Sequence, residues 1–372
     1  RRERPVIELI NEAAEACNAG RLRESEALLR RVLNEEPAHA MALDLMGELR
    51  IREKRYDEAI EYCEAAVRNG ARRPETYDNL GALYHIMGDL DRAIEWFDAS
   101  IGVQLQFQPA HKHLDAMLAA QGRANDRFLV SVITPTLGND VLRQALESVQ
   151  NQTYANIEHL VVADGPQAEA SVIALIGETE GVHPVNQITL PYNTGADRYN
   201  GHLIYGAALF LVKGRYVCYL DEDNSFDPDH IASLMACITS RGLQWAYSLR
   251  KIIDQNGALL GQDDCQSLGR WPTWNRPDLN LVDTNCYMVR RDVALEQGNL
   301  WHHRTGYFHG PDFRICRALI DNYPAFDCSR KYSVNYMVES SETSVNAEYF
   351  AMGNAEMAKR YPDGYPWAAL AD

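Results

Sequence analysis

The chain has 372 residues, enough for two or three domains with sizeable cores. Its formal net charge is −16, with 17 basic against 22 acidic residues through Asn125 and 19 against 30 beyond it, so neither part has the basic excess that nucleic-acid binding needs. Eight cysteines are scattered with no C-x-x-C pair, and no apolar run is long enough to span a membrane. Cys63, Cys218 and Cys286 fall in apolar patterns and read as small buried hydrophobes. A cytoplasmic protein in a reducing compartment is the expectation, with no signal-peptide pattern, although the chain opens on Arg1 rather than Met.

The first third repeats itself. Gly47 and Gly81, Ala59 and Ala93, Tyr56 and Leu90, Cys63 and Phe97, and Ala66 and Ser100 are each 34 residues apart. Stepping back by the same interval reaches Ala13, Leu22, Ser25, Leu29 and Val32, a weaker first copy, and Pro37 and Pro74 fall at copy junctions. Small residues at fixed places let two helices approach, and large ones fill the space between. Gly20, Lys54 and Gly88 occupy the expected turns, and a helix over 109–121 caps the array. The pattern resembles the tetratricopeptide repeat, a helix-turn-helix unit of this length, and three copies suffice to stack. The resemblance implies a surface for an acceptor or partner protein; a spacer or dimerisation role reads equally from the same residues.

Residues 122–126 form a short polar linker, which sets the domains at 1–125 and 126–372. Strands are expected over 128–134, 157–163, 187–190 and 215–220, with helices over 140–150 and 198–212. Asp227-Pro228 suits the first turn of a further helix, and Asn256-Gly257 a hairpin turn within 251–258. The alternation predicts an α/β domain, Rossmann-like, with a mostly parallel sheet covered on both faces.

The strand over 215–220 runs into Asp221-Glu222-Asp223-Asn224. Open α/β sheets bind ligands at the carboxyl ends of their strands. Two carboxylates spaced by one residue on such a tip can serve one sugar nucleotide, one on a ribose hydroxyl and the other on a divalent cation. Mn²⁺ and Mg²⁺ prefer oxygen ligands and bridge to phosphate. Glu222 would face away, towards backbone or solvent, and Asn224 would support the metal through water. The alternative is a solvated acidic turn.

Taken together, the segments of 128–344 resemble a family 2 glycosyltransferase of the GT-A fold. Val130-Ser131-Val132-Ile133-Thr134-Pro135-Thr136 matches that family's opening strand, and Asp221-Glu222-Asp223 its DXD motif, which implies Asp221 on the ribose and Asp223 on the cation. Asp164 matches the acid that reads the nucleotide base, with Thr134, Pro135 and Thr136 packing on that base. The implied base is uracil or thymine, whose N3–H donates to Asp164. The segment 193–201, with Arg198 facing the diphosphate, matches the Gly/Arg/Asn stretch before the metal strand. Thr284-Asn285-Cys286-Tyr287 looks like the acceptor-side strand, and Gly310-Pro311-Asp312-Phe313 like the segment that supplies the catalytic base. Two departures stand out: Pro311-Asp312 replaces a Glu-Asp pair, and Asn335 stands where a metal-binding His is common.

The resemblance implies an inverting transferase that uses a uridine or thymidine diphosphate sugar, with Asp312 as base. Trp271, Trp274, His302, His303 and His309 are candidates for an acceptor or donor-sugar pocket, against plain loop packing. His302 and His303 are also candidates for a further metal ligand. Asp312 could instead cap its helix. Ser340, Ser341, Thr343 and Ser344 resemble a segment that folds over the donor. Two other functions compete: a repeat scaffold whose sheet domain has lost activity, and a nucleotidyltransferase. Intact Asp221, Asp223 and Asp312 argue against the first, and the lack of Lys or Arg in 134–140 argues against the second.

Overall fold

The computed structural model describes residues 6–104, 107–196, 200–302, 310–339 and 345–368. Arg198, His303, His309 and the 340–344 segment lie outside the described residues. By internal contacts the chain separates into two compact units, Arg1–Ala124 and Asn125–Asp372.

The first unit is helical: α1 (Val6–Asn18), α2 (Leu22–Glu35), α3 (Ala40–Arg52), α4 (Tyr56–Arg68), α5 (Pro74–Ile86), α6 (Leu90–Val103) and α7 (Gln108–Ala120). The 34-residue period has a steric cause. A Cβ on Gly47 would sit 2.4 Å from Cys63 Sγ, and one on Gly81 would sit 2.5 Å from the Phe97 ring. Each glycine therefore lets the two helices of a pair touch. Gly20, Lys54 and Gly88 all have left-handed backbone, at φ 76°, 60° and 83°, so the turn has one geometry in each copy. Polar ties join successive copies: buried Asp44 accepts from Arg73 and from the Thr76 hydroxyl, both at 2.6 Å, and buried Arg50 donates to Glu26, also at 2.6 Å.

The second unit contains β1 (Val130–Thr136), α8 (Leu142–Gln150), β2 (Ile157–Ala163), α9 (Glu169–Glu178), β3 (Val185–Thr189), α10 (His202–Ala208), β4 (Tyr216–Tyr219) and β5 (Ser225–Phe226). It continues with α11 (His230–Arg241), β6 (Trp245–Ile253), β7 (Leu259–Gln262), β8 (Tyr287–Arg290), α12 (Arg291–Gln297), α13 (Pro311–Asn322), β9 (Phe326–Met337) and α14 (Ala347–Arg360). Among the described residues these strands form one sheet, ordered β3-β2-β1-β4-β8-β6-β9-β5, with β7 paired to β6. β1 and β2 are buried along their whole length, as strands covered on both faces must be. Their polar side chains are paired: Ser131 donates to Glu158 (2.6 Å), and Thr134 bonds His159 (2.8 Å).

The sheet is parallel through β3, β2, β1 and β4, and again between β6 and β9; β4–β8, β6–β8, β6–β7 and β5–β9 are antiparallel. The expected parallel pattern thus describes the first half, where helices separate consecutive strands. The expected hairpin forms between β6 and β7, and Gly257 takes φ 80° in its turn. Asp254 closes that turn, accepting from the backbone of Asn256 and Ala258 at 2.8 Å. Elsewhere the boundaries move. α10 is shorter than the helix expected over 198–212, and Pro228 stands ahead of α11, whose N-cap is Asp229.

Candidate active site

Strands β2, β1 and β4 end together at one edge of the sheet. Asp164 follows β2, residues 135–137 close β1, and residues 221–224 follow β4. Next to β4, β8 runs the opposite way, with Met288 opposite Cys218. The turn that precedes β8 therefore lies beside the acids that follow β4. The start of α13 adds Asp312. These residues line one cleft of about 510 Å³ together with Asn193, His202, Asp283, Thr284 and Tyr336.

Asp221 is held on both oxygens. Oδ1 accepts from the buried Tyr205 hydroxyl (2.6 Å) and Oδ2 from the Asn285 amide (2.8 Å). Its backbone N–H donates to Asn285 Oδ1 (2.7 Å). Burial, followed by the neighbouring Asp223 charge, pushes its carboxyl up to about 7. Asp223 lines the same cleft, half-buried. Asn224 borders the cleft as well, and its side chain accepts from the backbone of Met337 (3.0 Å), which ties the end of β4 to that of β9.

Glu222 does more than the sequence suggested. Its carboxylate accepts from the Thr136 hydroxyl, from the Leu137 backbone (3.2 Å) and from the Asn139 amide (3.0 Å). It braces the loop after β1, which borders the cleft. Burial, partly offset by the Thr136 and Asn139 hydrogen bonds, raises its carboxyl.

Asp164 is buried at the mouth of β2 and lines the cleft. It accepts from Thr194 backbone (2.7 Å) and hydroxyl (2.9 Å) on Oδ1, and from Gly195 backbone (3.0 Å) on Oδ2. It therefore organises the loop after β3 as well as facing the cleft. Pro135 and Thr136 also line the cleft, whereas Thr134 turns its hydroxyl to His159 within the sheet and does not.

Asp312 stands in the first turn of α13, whose N-cap is Gly310. The capping role is therefore not the one it plays: Oδ1 accepts from the Thr284 hydroxyl at 2.6 Å. Burial raises its carboxyl most; His202 opposes the shift and Asp283 adds to it.

The aromatic candidates are elsewhere. Trp271 packs on Trp367 with ring centroids 5.6 Å apart, and Trp274 packs on Tyr349 at the same distance. Both cover the core near α14, and neither lines the cleft. His302 borders a separate apolar cavity of about 290 Å³ beside α10 and β3. Asn335 pairs with Ser225 across β9 and β5 and donates to Asp227 (3.0 Å), so Tyr336, not Asn335, reaches the cleft. The sequence reading missed His202, Tyr205 and Asp283. Tyr205 and His202 were hidden on an ordinary amphipathic helix, while Asp283 had a signal in its place just ahead of Thr284-Asn285.

Six carboxylates, Asp164, Asp221, Glu222, Asp223, Asp283 and Asp312, line this cleft, and among the described lining residues none is Lys or Arg. Such oxygen-rich chemistry fits a hard divalent cation. Among the described residues no group of three or more His, Cys, Asp or Glu could hold a metal by itself.

Residues 131–280 match the family model for glycosyl transferase family 2, and residues 38–106 match a tetratricopeptide repeat model. The chain carries a family 2 glycosyl transferase domain behind tetratricopeptide repeats. Chondroitin synthase of Pasteurella multocida (strain Pm70) is 22% identical over 181 residues, which is 48% of this chain and 17% of that protein. The uncharacterised protein y4gI of Sinorhizobium fredii is 28% identical over 199 residues, 52% of this chain and 20% of that one. The chain thus spans a fifth or less of the length of these relatives. Among solved structures, S. aureus TarS 1-349 aligns with a TM-score of 0.44 at 15% identity, covering 63% of this chain and 72% of that one. The transferase-family match ends at 280, before Asp283 and Asp312.

Proposed function

We propose that the transferase domain moves a sugar from a nucleoside diphosphate donor to a hydroxyl acceptor, inverting the anomeric carbon. One observation carries the reading: Asp221, Asp223 and Asp312 line one cleft at the carboxyl edge of the parallel strands. In this reading the base lies against Pro135, Thr136 and Leu137, with Asp164 accepting from the N3–H of uracil or thymine. Asp221 takes a ribose hydroxyl. Asp223 would hold Mn²⁺ or Mg²⁺. When bound there, the cation offsets the charge that grows on the departing nucleoside diphosphate.

Asp312 acts on the acceptor. Among the described residues Thr284 donates to its Oδ1, which leaves Oδ2 to take the proton as the hydroxyl attacks opposite the leaving group. A carboxyl raised by burial is a better base near neutral pH than an exposed one. Chondroitin synthase among the relatives favours sugar transfer over nucleotidyl transfer. The repeats recruit an acceptor or partner protein, and the protein works in the cytoplasm, where its scattered cysteines would stay reduced.

The test is a panel of sugar nucleotides assayed for hydrolysis with Mn²⁺ and with Mg²⁺. Cleavage of uridine or thymidine diphosphate sugars, dependent on the cation, is expected. Preference for a guanosine diphosphate sugar would overturn the part given to Asp164, and metal-independent cleavage the part given to Asp223.

A further inference from the structure

We propose that the turn Asp283-Thr284-Asn285 holds the donor and acceptor sides of the cleft in register, with Asn285 positioning Asp221 and Thr284 positioning Asp312. The inference rests on the transferase reading of those two acids.

Asn285 is fully buried. Its Oδ1 accepts from the Asp221 backbone (2.7 Å), and its Nδ2 donates to Asp221 Oδ2 (2.8 Å) and Asp283 Oδ1 (2.9 Å). A flipped amide would set its NH₂ against an N–H and its oxygen against two carboxylates, so the orientation is determined by its partners. An aspartate in its place would bring a third carboxylate to the same point. The amide therefore fits both the backbone and the side chain of Asp221, and with Tyr205 it sets the direction of that carboxylate.

The next residue faces the other acid. Thr284 is buried, and its hydroxyl donates to Asp312 Oδ1 at 2.6 Å. A carboxylate whose one oxygen is occupied presents the other in a defined direction. Neighbours on a single turn thus reach one acid after β4 and another on α13, elements far apart in sequence.

The turn is itself anchored. Asp283 Oδ1 accepts from the Asn285 backbone (3.0 Å), and its own backbone donates to Ser267 Oγ (2.8 Å). Its other oxygen pairs with Arg250 on β6 (2.5 Å). Arg250 is nearly inaccessible and is fixed in turn by Asp263 (2.8 Å), Gln266 (2.8 Å) and the Tyr336 ring, 4.1 Å from the guanidinium to the centroid. A buried guanidinium with two carboxylate partners is costly to disturb, which makes it a rigid base for the turn.

The two positioning roles separate in experiment. On the full chain, calorimetry with uridine diphosphate and Mn²⁺ reports the donor side. Hydrolysis of the sugar nucleotide chosen by the donor panel reports turnover. Thr284→Val preserves shape and removes the hydroxyl. It should leave uridine diphosphate affinity within about twofold and lower kcat by roughly 10- to 100-fold, with Thr284→Ser restoring most of it. Asn285→Ala should weaken uridine diphosphate binding by about tenfold or more. Melting temperature checks folding, and Asn285→Ser replaces Asn285→Ala if the latter does not fold. The inference is overturned if Thr284→Val leaves kcat unchanged, if Thr284→Ser fails to restore it, or if Thr284→Val weakens nucleotide binding as much as the Asn285 variant does. Failure of the wild type to bind any nucleoside diphosphate of the donor panel, with Mn²⁺ or with Mg²⁺, would overturn the transferase reading itself, whatever the variants do.

Discussion

Asp223 and Asp312 face different partners in the proposed reaction, so their loss should be felt in different measurements. Asp223→Asn replaces a carboxylate by a neutral amide, a poorer ligand for a hard cation. Most activity should disappear, and calorimetry should find that Mn²⁺ no longer strengthens nucleoside diphosphate binding. Unchanged metal dependence would remove Asp223 from this role. Asp312→Asn keeps the volume and the Thr284 contact but cannot take a proton. Donor binding should stay close to wild type while turnover falls by about 10²–10⁴-fold. A variant that loses donor affinity as well would place Asp312 on the nucleotide side. At this scale the sequence disclosed the acids, because residue type and spacing suffice for a carboxylate tip. It did not disclose their supports. Tyr205 and Asn285 become partners of Asp221 only when α10 and the turn before β8 are folded against β4.

Elements show the same division. β1, β2 and β4 were legible from apolar runs that end in turn residues, and the helical pairs from their period. β6, β8 and β9 were less so, since antiparallel pairing of β8 depends on which strand it meets. Buried histidines knit these elements together. His159 on β2 bonds Thr134 on β1, and His230 on α11 bonds Ser333 on β9 at 2.9 Å. Burial lowers both to about 3. Each stays neutral in the native state, while in the unfolded chain it takes up a proton below about 6.5. The stability each contributes is therefore complete above 6.5 and is lost as pH falls towards 3. The slope is about 1.4 kcal/mol per pH unit per histidine. Asp221, raised to about 7, acts with the opposite sign as pH falls from 7, so a comparison with a variant isolates the histidine. His230→Asn retains a polar group towards Ser333. Between pH 7 and pH 5 the wild type should lose about 2 kcal/mol more stability than this variant, measured by denaturant unfolding. Equal losses would mean that His230 is protonated in the native protein.

For the whole molecule, the division at 124–125 separates the repeats from every residue given a part in the reaction. Deleting residues 1–125 should leave nucleotide binding and donor hydrolysis intact, because Asp164, Asp221, Asp223 and Asp312 all lie beyond the cut. Transfer to the native acceptor should fall if the repeats recruit it. Calorimetry on the truncated chain, with circular dichroism to confirm folding, checks the first expectation. Loss of nucleotide binding in a folded product would show that the repeats belong to the catalytic unit. Unchanged native transfer would instead assign them to assembly or localisation.

By itself the sequence determined the repeat period, the family resemblance and the acids at the end of β4. Each depends on local spacing: a helix pair that needs glycine at Gly47 and Gly81, or a strand that stops in carboxylates. The tertiary structure decided which distant groups share a cleft. It brought Thr284 to Asp312 and Arg250 to Asp283, and it sent Trp271, Trp274 and Asn335 into packing and sheet contacts. An aromatic or amide side chain has the same composition in a core as in a binding site. Only its neighbours, fixed by strand order and helix packing, tell the two apart.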